Sequence, residues 1–508
     1  MISRRELLHR STYGIGTLAL AMLEQERLRA EPAKPDLERK HYDLKPKAPH
    51  FAPKATAGCV SPPTGTPETP AWRFVVLGPE GVAIARAITT AGECPRIDID
   101  GQARPMAVRM PAATIPGRPS RSEPPAQPTA FPVLTCEAVV PPGTRNAAID
   151  GYPLPLPVAN PQRIVLLGDT GCRIVGSFNA FQACNDPAQW PFERVADAAA
   201  ATRPDLVIHV GDFHYRESAC APGNAGCAGS PWGYGWDAWQ ADLFDPARNL
   251  MAAAPWIVTR GNHESCNRAG QGWFRFLDPR PVAPRQDCNG AADDDVGNYS
   301  APYAVPLGRD ANTQFMVFDS SWVGLSPLQP ADLMYRNYYA QLTELFALAA
   351  RTPRAFFMSH HPVLGFAANP GNPQQPFPGN AGLQSVLAPL YPTVLFPPTI
   401  EALLSGHSHT LEVISFATAQ PPQVLAGNGG TYLDDPFPVP FPAGAQPAPG
   451  AVVAEMVTTT QFGFMTMDRR GAGWRMQAWD AAGRPLTSCS LGERRAQCEP
   501  IAARGAAP

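Results

Sequence analysis

Six short apolar runs mark the middle of the chain: RIVLLGD (163–169), DLVIHVGD (205–212), PWIVTRGNHE (255–264), TQFMVFDSS (313–321), RAFFMSHHP (354–362) and EALLSGHSH (401–409). Each is too short for a helix and ends in polar, reactive residue types. Helical patterns lie between several of them. FERVADAAAA (192–201) follows Pro191, a residue suited to a first helical turn. Leu342, Leu345, Phe346 and Ala349 recur at i, i+3, i+4 and i+7 and predict a helix over 335–350. Strands alternating with helices predict βαβ units and a mostly parallel, buried sheet with its chemistry at the strand C-terminal ends.

The grammar differs on either side. Between 72 and 158 the runs WRFVVLG, VAIARAIT, RIDIDG, PMAVRM, FPVLTCEAVV and AAIDGYPLPLP are separated by Gly, Pro and Asp turns. No helix intervenes, which predicts a small β-sandwich of immunoglobulin or fibronectin type. Past 410, LEVISF, QVLAG, FGFMTMD and WRMQAWD return to β character and suggest a second sheet against the first. The expected fold class is α/β: two packed mixed β-sheets flanked by helices, preceded by an all-β sandwich. The expected divisions are an export signal over 1–30, a charged, Pro-rich linker over 31–70, the sandwich over 71–160 and the catalytic domain over 161–508.

Composition narrows the setting. With 508 residues the chain is too long for one compact core, and a net charge of −3 gives no reason to expect nucleic acid or an anionic membrane as partner. Its 60 Pro cluster at 110–133, 367–398 and 436–449, which predicts irregular loops there. No Lys occurs beyond residue 54, which excludes a Schiff-base or P-loop lysine in the body of the protein. At the N-terminus, Arg4 and Arg5 precede an apolar run from Tyr13 to Leu23 that is too short to span a bilayer and resembles a twin-arginine export signal. Eleven Cys also argue for an oxidising compartment. Cys172/Cys184, Cys220/Cys227, Cys266/Cys288 and Cys489/Cys498 are sequential neighbours able to staple single loops, which leaves Cys59, Cys94 and Cys136. The expectation is an exported protein, periplasmic or secreted.

The chemistry lies in the run ends. In order come Asp169 in GDTG, Asp212 and Tyr215 in GDFHY, Asn262 and His263 in GNHE, His360 in SHHP, and His407 and His409 in GHSH. Parallel strands carry all of them to one edge. The chain has ten His, none between 51 and 208 and none after 409, and most of those after 208 lie in these motifs. Asp, Asn and His are the oxygen and nitrogen donors that first-row metals accept, and a central carboxylate can bridge two cations. Such a pair binds phosphate oxygens, acidifies a bridging water and stabilises an in-line displacement. His209, inside its strand, reads as a core residue. Asp293–Asp295 reads as a solvated loop, and Asp319 as a strand-end turn residue supporting the site.

The series GDxG, GDxxY, GNHE, HxP, GHxH resembles the calcineurin-like metallophosphoesterase superfamily, in its purple acid phosphatase variant. In the wider superfamily the first motif is D-x-H, and Gly171 stands where that His would be. The resemblance implies that Tyr215 replaces it, with Asp169, Asp212, Tyr215 and His409 around one metal and Asp212, Asn262, His360 and His407 around the other. It implies Fe(III) at the tyrosine site with Zn, Mn or Fe(II) beside it. His263 would contact the substrate phosphate, and Glu264 would orient ligands. VLAGNGG (424–430) resembles a glycine-rich strand end of these enzymes. One departure is that no His follows between 361 and 407, so His361, His214 and Arg216 stand as alternatives for a further catalytic or substrate-binding group.

The implied function is an exported, dinuclear metal-dependent phosphomonoesterase, acid-phosphatase-like, with a metal-activated hydroxide attacking phosphorus in line on a phosphoester substrate. One alternative is a phosphodiesterase acting on nucleotides or phospholipids with the same residues. Another is a secreted binding or adhesion protein whose metal site is vestigial.

Overall fold

The computed structural model describes residues 71–120, 127–308 and 312–499. The expected export signal and linker, and Cys59, lie outside these residues. The six runs form strands, and they divide between two large sheets.

Arg163–Leu167, Leu206–His209 and Trp256–Val258 pair in parallel at the centre of an eleven-stranded sheet. Thr313–Val317, Arg354–Met358, Ile400–Ser405 and Gln423–Ala426 pair in parallel in a seven-stranded sheet. Strands this apolar must bury both faces, and they do. Ile164, Leu166 and Ile208 face Phe315, Met358 and Leu404 in one core between the sheets. Val165, Leu167 and Val207 point the other way, onto the helix Phe192–Ala201. The far side of the seven-stranded sheet is covered by helices Leu333–Ala349 and Ala381–Leu387 through Leu342, Leu345 and Leu383. The 335–350 expectation thus lies within one residue of the observed C-terminal end and two of the start.

The C-terminal runs do not make a sheet of their own. Leu411–Phe416 and Gln423–Ala426 belong to the seven-stranded sheet. Gly463–Arg470 crosses back and pairs antiparallel with Arg163–Leu167, followed by Gly473–Asp480 and Pro485–Gly492. A run's periodicity does not encode which edge it joins.

The strand-rich region before 160 does contain two facing sheets. Arg96–Ile99, Gln102–Pro105, Ala147–Ile149 and Tyr152–Pro153 form one. They pack through Ile97, Ile99 and Ile149 on Val75, Ala85 and Ala87. The second sheet, however, continues the catalytic one: Ala71–Leu77 runs parallel to Trp256–Val258, so the eleven-stranded sheet passes through both regions. Side chains reinforce the join. The buried Arg86 guanidinium donates to the carbonyls of Phe276 and Asp278 at 2.8 and 2.7 Å. Arg109 donates to those of Phe274 and Arg280, both at 2.9 Å. A buried guanidinium without such acceptors would be strongly destabilising, so these contacts hold the two regions in one register.

All four neighbouring Cys pairs are disulfides, and Cys94–Cys136 is a fifth. Residues 293–295 lie in two short helical turns rather than a merely solvated loop, and the Asp294 carboxylate accepts from Arg118 Nη2 at 2.7 and 2.6 Å.

A chain beginning at residue 161 would uncover the edge of Trp256–Val258 and strand the acceptors of Arg86. Such a fragment is expected to aggregate or to unfold without a cooperative urea transition. A single sharp transition matching the full chain, followed by far-UV circular dichroism, would show instead that the two regions fold separately.

Candidate metal centre

The motif residues follow directly on parallel strands, so the sheets deliver them to one edge. Three of them, Asp169 (φ 55°), Asp212 (φ 56°) and His407 (φ 73°), hold left-handed backbone, which non-glycine residues adopt at a cost of about 1 kcal/mol or more. The turns are fixed from behind. Asp169 N–H and Thr170 N–H donate to the carbonyls of Gly211 and Asp212, both at 3.0 Å. Gly406 N–H reaches His360 O at 3.0 Å, and Gly429 N–H of the glycine-rich segment reaches Gly168 O at 3.1 Å. Buried Glu264 accepts four backbone N–H bonds, from Gly261 and Asp212 to one oxygen (3.0 and 3.1 Å) and from Phe213 and His214 to the other (2.8 and 3.1 Å). It ties the GDFHY and GNHE turns together. Burial and the Asp212 charge push its carboxyl up to about 8, while these donors pull it down.

Two donor sets result, and they meet at one carboxylate. The Tyr215 hydroxyl lies 3.0 Å from Asp169 Oδ1, 2.8 Å from Asp212 Oδ2 and 3.0 Å from His409 Nε2. Asn262 Oδ1 lies 3.1 Å from His360 Nε2 and 2.9 Å from His407 Nδ1. Asp212 Oδ2 is also 3.1 Å from His360 Nε2, so it belongs to both. Asp212, His360 and His407 place ligand atoms within 4.8 Å of one another. The Tyr215 O–H carries a single proton yet faces two carboxylate oxygens as well as the His409 ring nitrogen, and Asn262 Oδ1 can only accept. A buried cluster this rich in lone pairs fits cations better than it fits its own hydrogen bonds. The pKa directions agree: burial and the charges of Asp169 and Asp212 hold the Tyr215 phenol well above its usual range. Releasing its proton there requires added positive charge.

Around the donors stand groups that orient them. Val210 O contacts His360 Nδ1 at 2.9 Å, and Asp434 Oδ2 accepts His409 N–H at 3.0 Å. Buried Asp242 accepts the N–H groups of Cys172 (3.0 Å) and Tyr215 (2.8 Å) and the Nε–H of Arg216 (2.6 Å). Gly171 explains the departure from D-x-H. A Cβ there would meet Asp242 Oδ2 and Phe213 O at 2.8 Å and Tyr215 N at 2.9 Å, so a side chain does not fit.

The remaining sequence candidates separate. His263 lies against the cluster, its ring centroid 3.8 Å from that of Tyr215 and its Nε2 3.9 Å from Asp212 Oδ2. Burial, and then the neighbouring Arg268, lowers its imidazole to about 4. His361 sits beside His407 at 4.2 Å between centroids, with Nδ1 3.1 Å from Ser320 Oγ. His214 is turned away, its ring between Tyr234 and Trp239. Arg216 is engaged with Asp242 and lies over Trp190. His209 is buried and stacks on Phe213. Asp319 accepts from Arg260, Ser300 and Ser321 beside the GNHE turn. Sequence reasoning missed Asp242, Asp434, Glu217 and Arg268. Glu217 stands two residues after Tyr215 and Arg268 five after His263, but no spacing rule singles them out.

Residues 162–411 match the calcineurin-like phosphoesterase family. Among solved structures, a purple acid phosphatase, PPD1, from yellow lupin (Lupinus luteus) seeds is similar at 14% identity and a TM-score of 0.52, covering 84% of this chain and 74% of its own. A structure of PhoD is similar at 11% identity and a TM-score of 0.51, covering 86% of this chain and 92% of its own. No curated protein sequence matches. Residues 162–411 thus form a calcineurin-like phosphoesterase domain, and the protein is a metallophosphoesterase, a metal-dependent hydrolase of phosphoric esters.

Gly171→Ala and Gly171→His are expected to lower the unfolding free energy, by about 1–3 kcal/mol for the smaller side chain, read as a lower urea midpoint. Neither should add metal per chain. A stable Gly171→His protein binding extra metal would show that the site has room for the missing ligand.

Proposed function

We propose that the protein is an exported phosphomonoesterase with a dinuclear centre. Asp169, Asp212, Tyr215 and His409 hold one metal; Asp212, Asn262, His360 and His407 hold the other. The observation that carries this reading is the position of Asp212 Oδ2, 2.8 Å from the Tyr215 hydroxyl and 3.1 Å from His360 Nε2. Cations bound on either side of it would draw in the phosphate oxygens and acidify a shared water. The phenol, two carboxylates and one imidazole of the first set suit Fe(III), and the nitrogen-richer second set suits Zn, Mn or Fe(II).

His263 contacts the phosphate and stabilises charge in the transition state. His361, next to the partly exposed His407, is placed to meet the departing oxygen. The other proposed metal-binding His are buried. Export is supported by the five disulfides. Among the described residues no helix is long and apolar enough to cross a membrane.

Hydrolysis of p-nitrophenyl phosphate is expected to exceed that of its bis ester, and chelation should abolish both. Faster cleavage of the bis ester would favour the diesterase, and stoichiometric metal without hydrolysis would favour a binding protein. The native protein should also show a visible charge-transfer band that Tyr215→Phe removes. A colourless native protein holding zinc or manganese would exclude iron at the tyrosine site.

A further inference from the structure

Between Cys172 and Cys184 the only charged residue is Arg173, four positions after Asp169. It is half-buried, and its guanidinium carbon lies 5.8 Å from the centroid of the Tyr215 ring. Among the described residues no carboxylate or carbonyl accepts a hydrogen bond from that guanidinium.

The backbone that carries Arg173 is nevertheless fixed. The Cys172–Cys184 disulfide closes the loop. Arg173 N–H donates to Gln182 Oε1 at 2.9 Å, and Gln182 N–H donates to Arg173 O at 2.8 Å. Ile174 N–H donates to Tyr215 O at 3.0 Å. Beyond it, Gln182 Nε2 donates to Gly430 O at 2.8 Å and the Tyr432 hydroxyl to Phe181 O at 2.9 Å. The 430–434 segment also carries Asp434, which accepts the His409 N–H. The loop is thus anchored on the side of the cluster where Tyr215 and His409 meet.

A guanidinium drawn partly out of water without an acceptor is costly. Holding it beside a site suited to two further cations adds repulsion. A bound anion relieves both. A phosphomonoester dianion has three terminal oxygens and two charges, whereas a diester has two such oxygens and one charge. With two oxygens drawn to the dinuclear centre, the third is left for a guanidinium, whose N–H groups bind phosphate oxygens strongly.

We propose that Arg173 binds the third terminal oxygen of a phosphomonoester and so sets a preference for monoesters over diesters, resting on the dinuclear monoesterase reading above. Its contact forms only with a substrate that offers that oxygen, which makes it a specificity-determining residue.

Arg173→Gln and Arg173→Lys in the full, metal-loaded chain test this, with metal per chain and visible absorption recorded for each variant. Arg173→Gln should lower kcat/KM for p-nitrophenyl phosphate about ten- to a hundredfold, the contribution of one charge-assisted hydrogen bond, and that for the bis ester less than about threefold. Inorganic phosphate, titrated by calorimetry, should bind more weakly by the same factor, with metal content unchanged. Arg173→Lys keeps the charge without the planar fork and should fall between the native protein and Arg173→Gln. An equal loss on both esters, a loss that follows metal content, or unaltered phosphate binding overturns the proposal. So does a shifted charge-transfer band with an unchanged ester ratio, which would make Arg173 a partner of the Tyr215 phenolate instead. If the native protein holds metal but hydrolyses neither ester, the monoesterase reading falls by itself, and the phosphate titration still decides whether Arg173 binds the anion.

Discussion

One carboxylate, Asp212, is the constraint around which the site is arranged. It is buried on a left-handed turn, with one oxygen shared between the Tyr215 hydroxyl and His360 and the other accepting the His263 N–H at 2.8 Å. Burial opposes its ionised form, yet the charges of His360 and His263 hold it well below the usual carboxylate range. A carboxylate so placed must face cations or hydrogen-bond donors on every side. Glu264 fixes the backbone that carries it, and Gly261 must be glycine because a Cβ there would lie 2.1 Å from Asp212 Oδ1.

The fold exists to make that convergence repeatable. Asp169, Asp212 and Asn262 come from three adjacent parallel strands of one sheet, and His360 and His407 from two adjacent strands of the other. The core between the sheets sets the distance across which the two groups of donor residues face one another. The N-terminal strands stiffen this arrangement from the side, since Ala71–Leu77 closes the otherwise open edge of Trp256–Val258. That pairing gives the N-terminal β region a structural part in the catalytic sheet.

The strands and the donor residues were legible in the sequence because each signal is local: an apolar run, then a reactive residue at its C-terminal end. The Gly171 departure was also visible, although its reason, a turn filled by Asp242 and the backbone of 213–215, appears only in three dimensions. Asp242 and Asp434 gave no local signal, the first lying in the short helical turn Gln240–Phe244 and the second in an irregular segment, both remote in sequence from the residues they orient. Arg268 was hidden for a similar reason, since its meaning depends on Glu217, 51 positions away. Edge pairing was likewise invisible: WRFVVLG reads the same in a separate sandwich as in an extension of the catalytic sheet. The Cys94–Cys136 bridge spans 42 positions and could not be inferred from sequential neighbours.

The most direct test is anomalous diffraction from crystals of the metal-loaded protein. Two peaks about 3.5–4 Å apart, one on each side of the Asp212 carboxylate, are predicted. A single peak, or two peaks that do not share Asp212, would contradict the account.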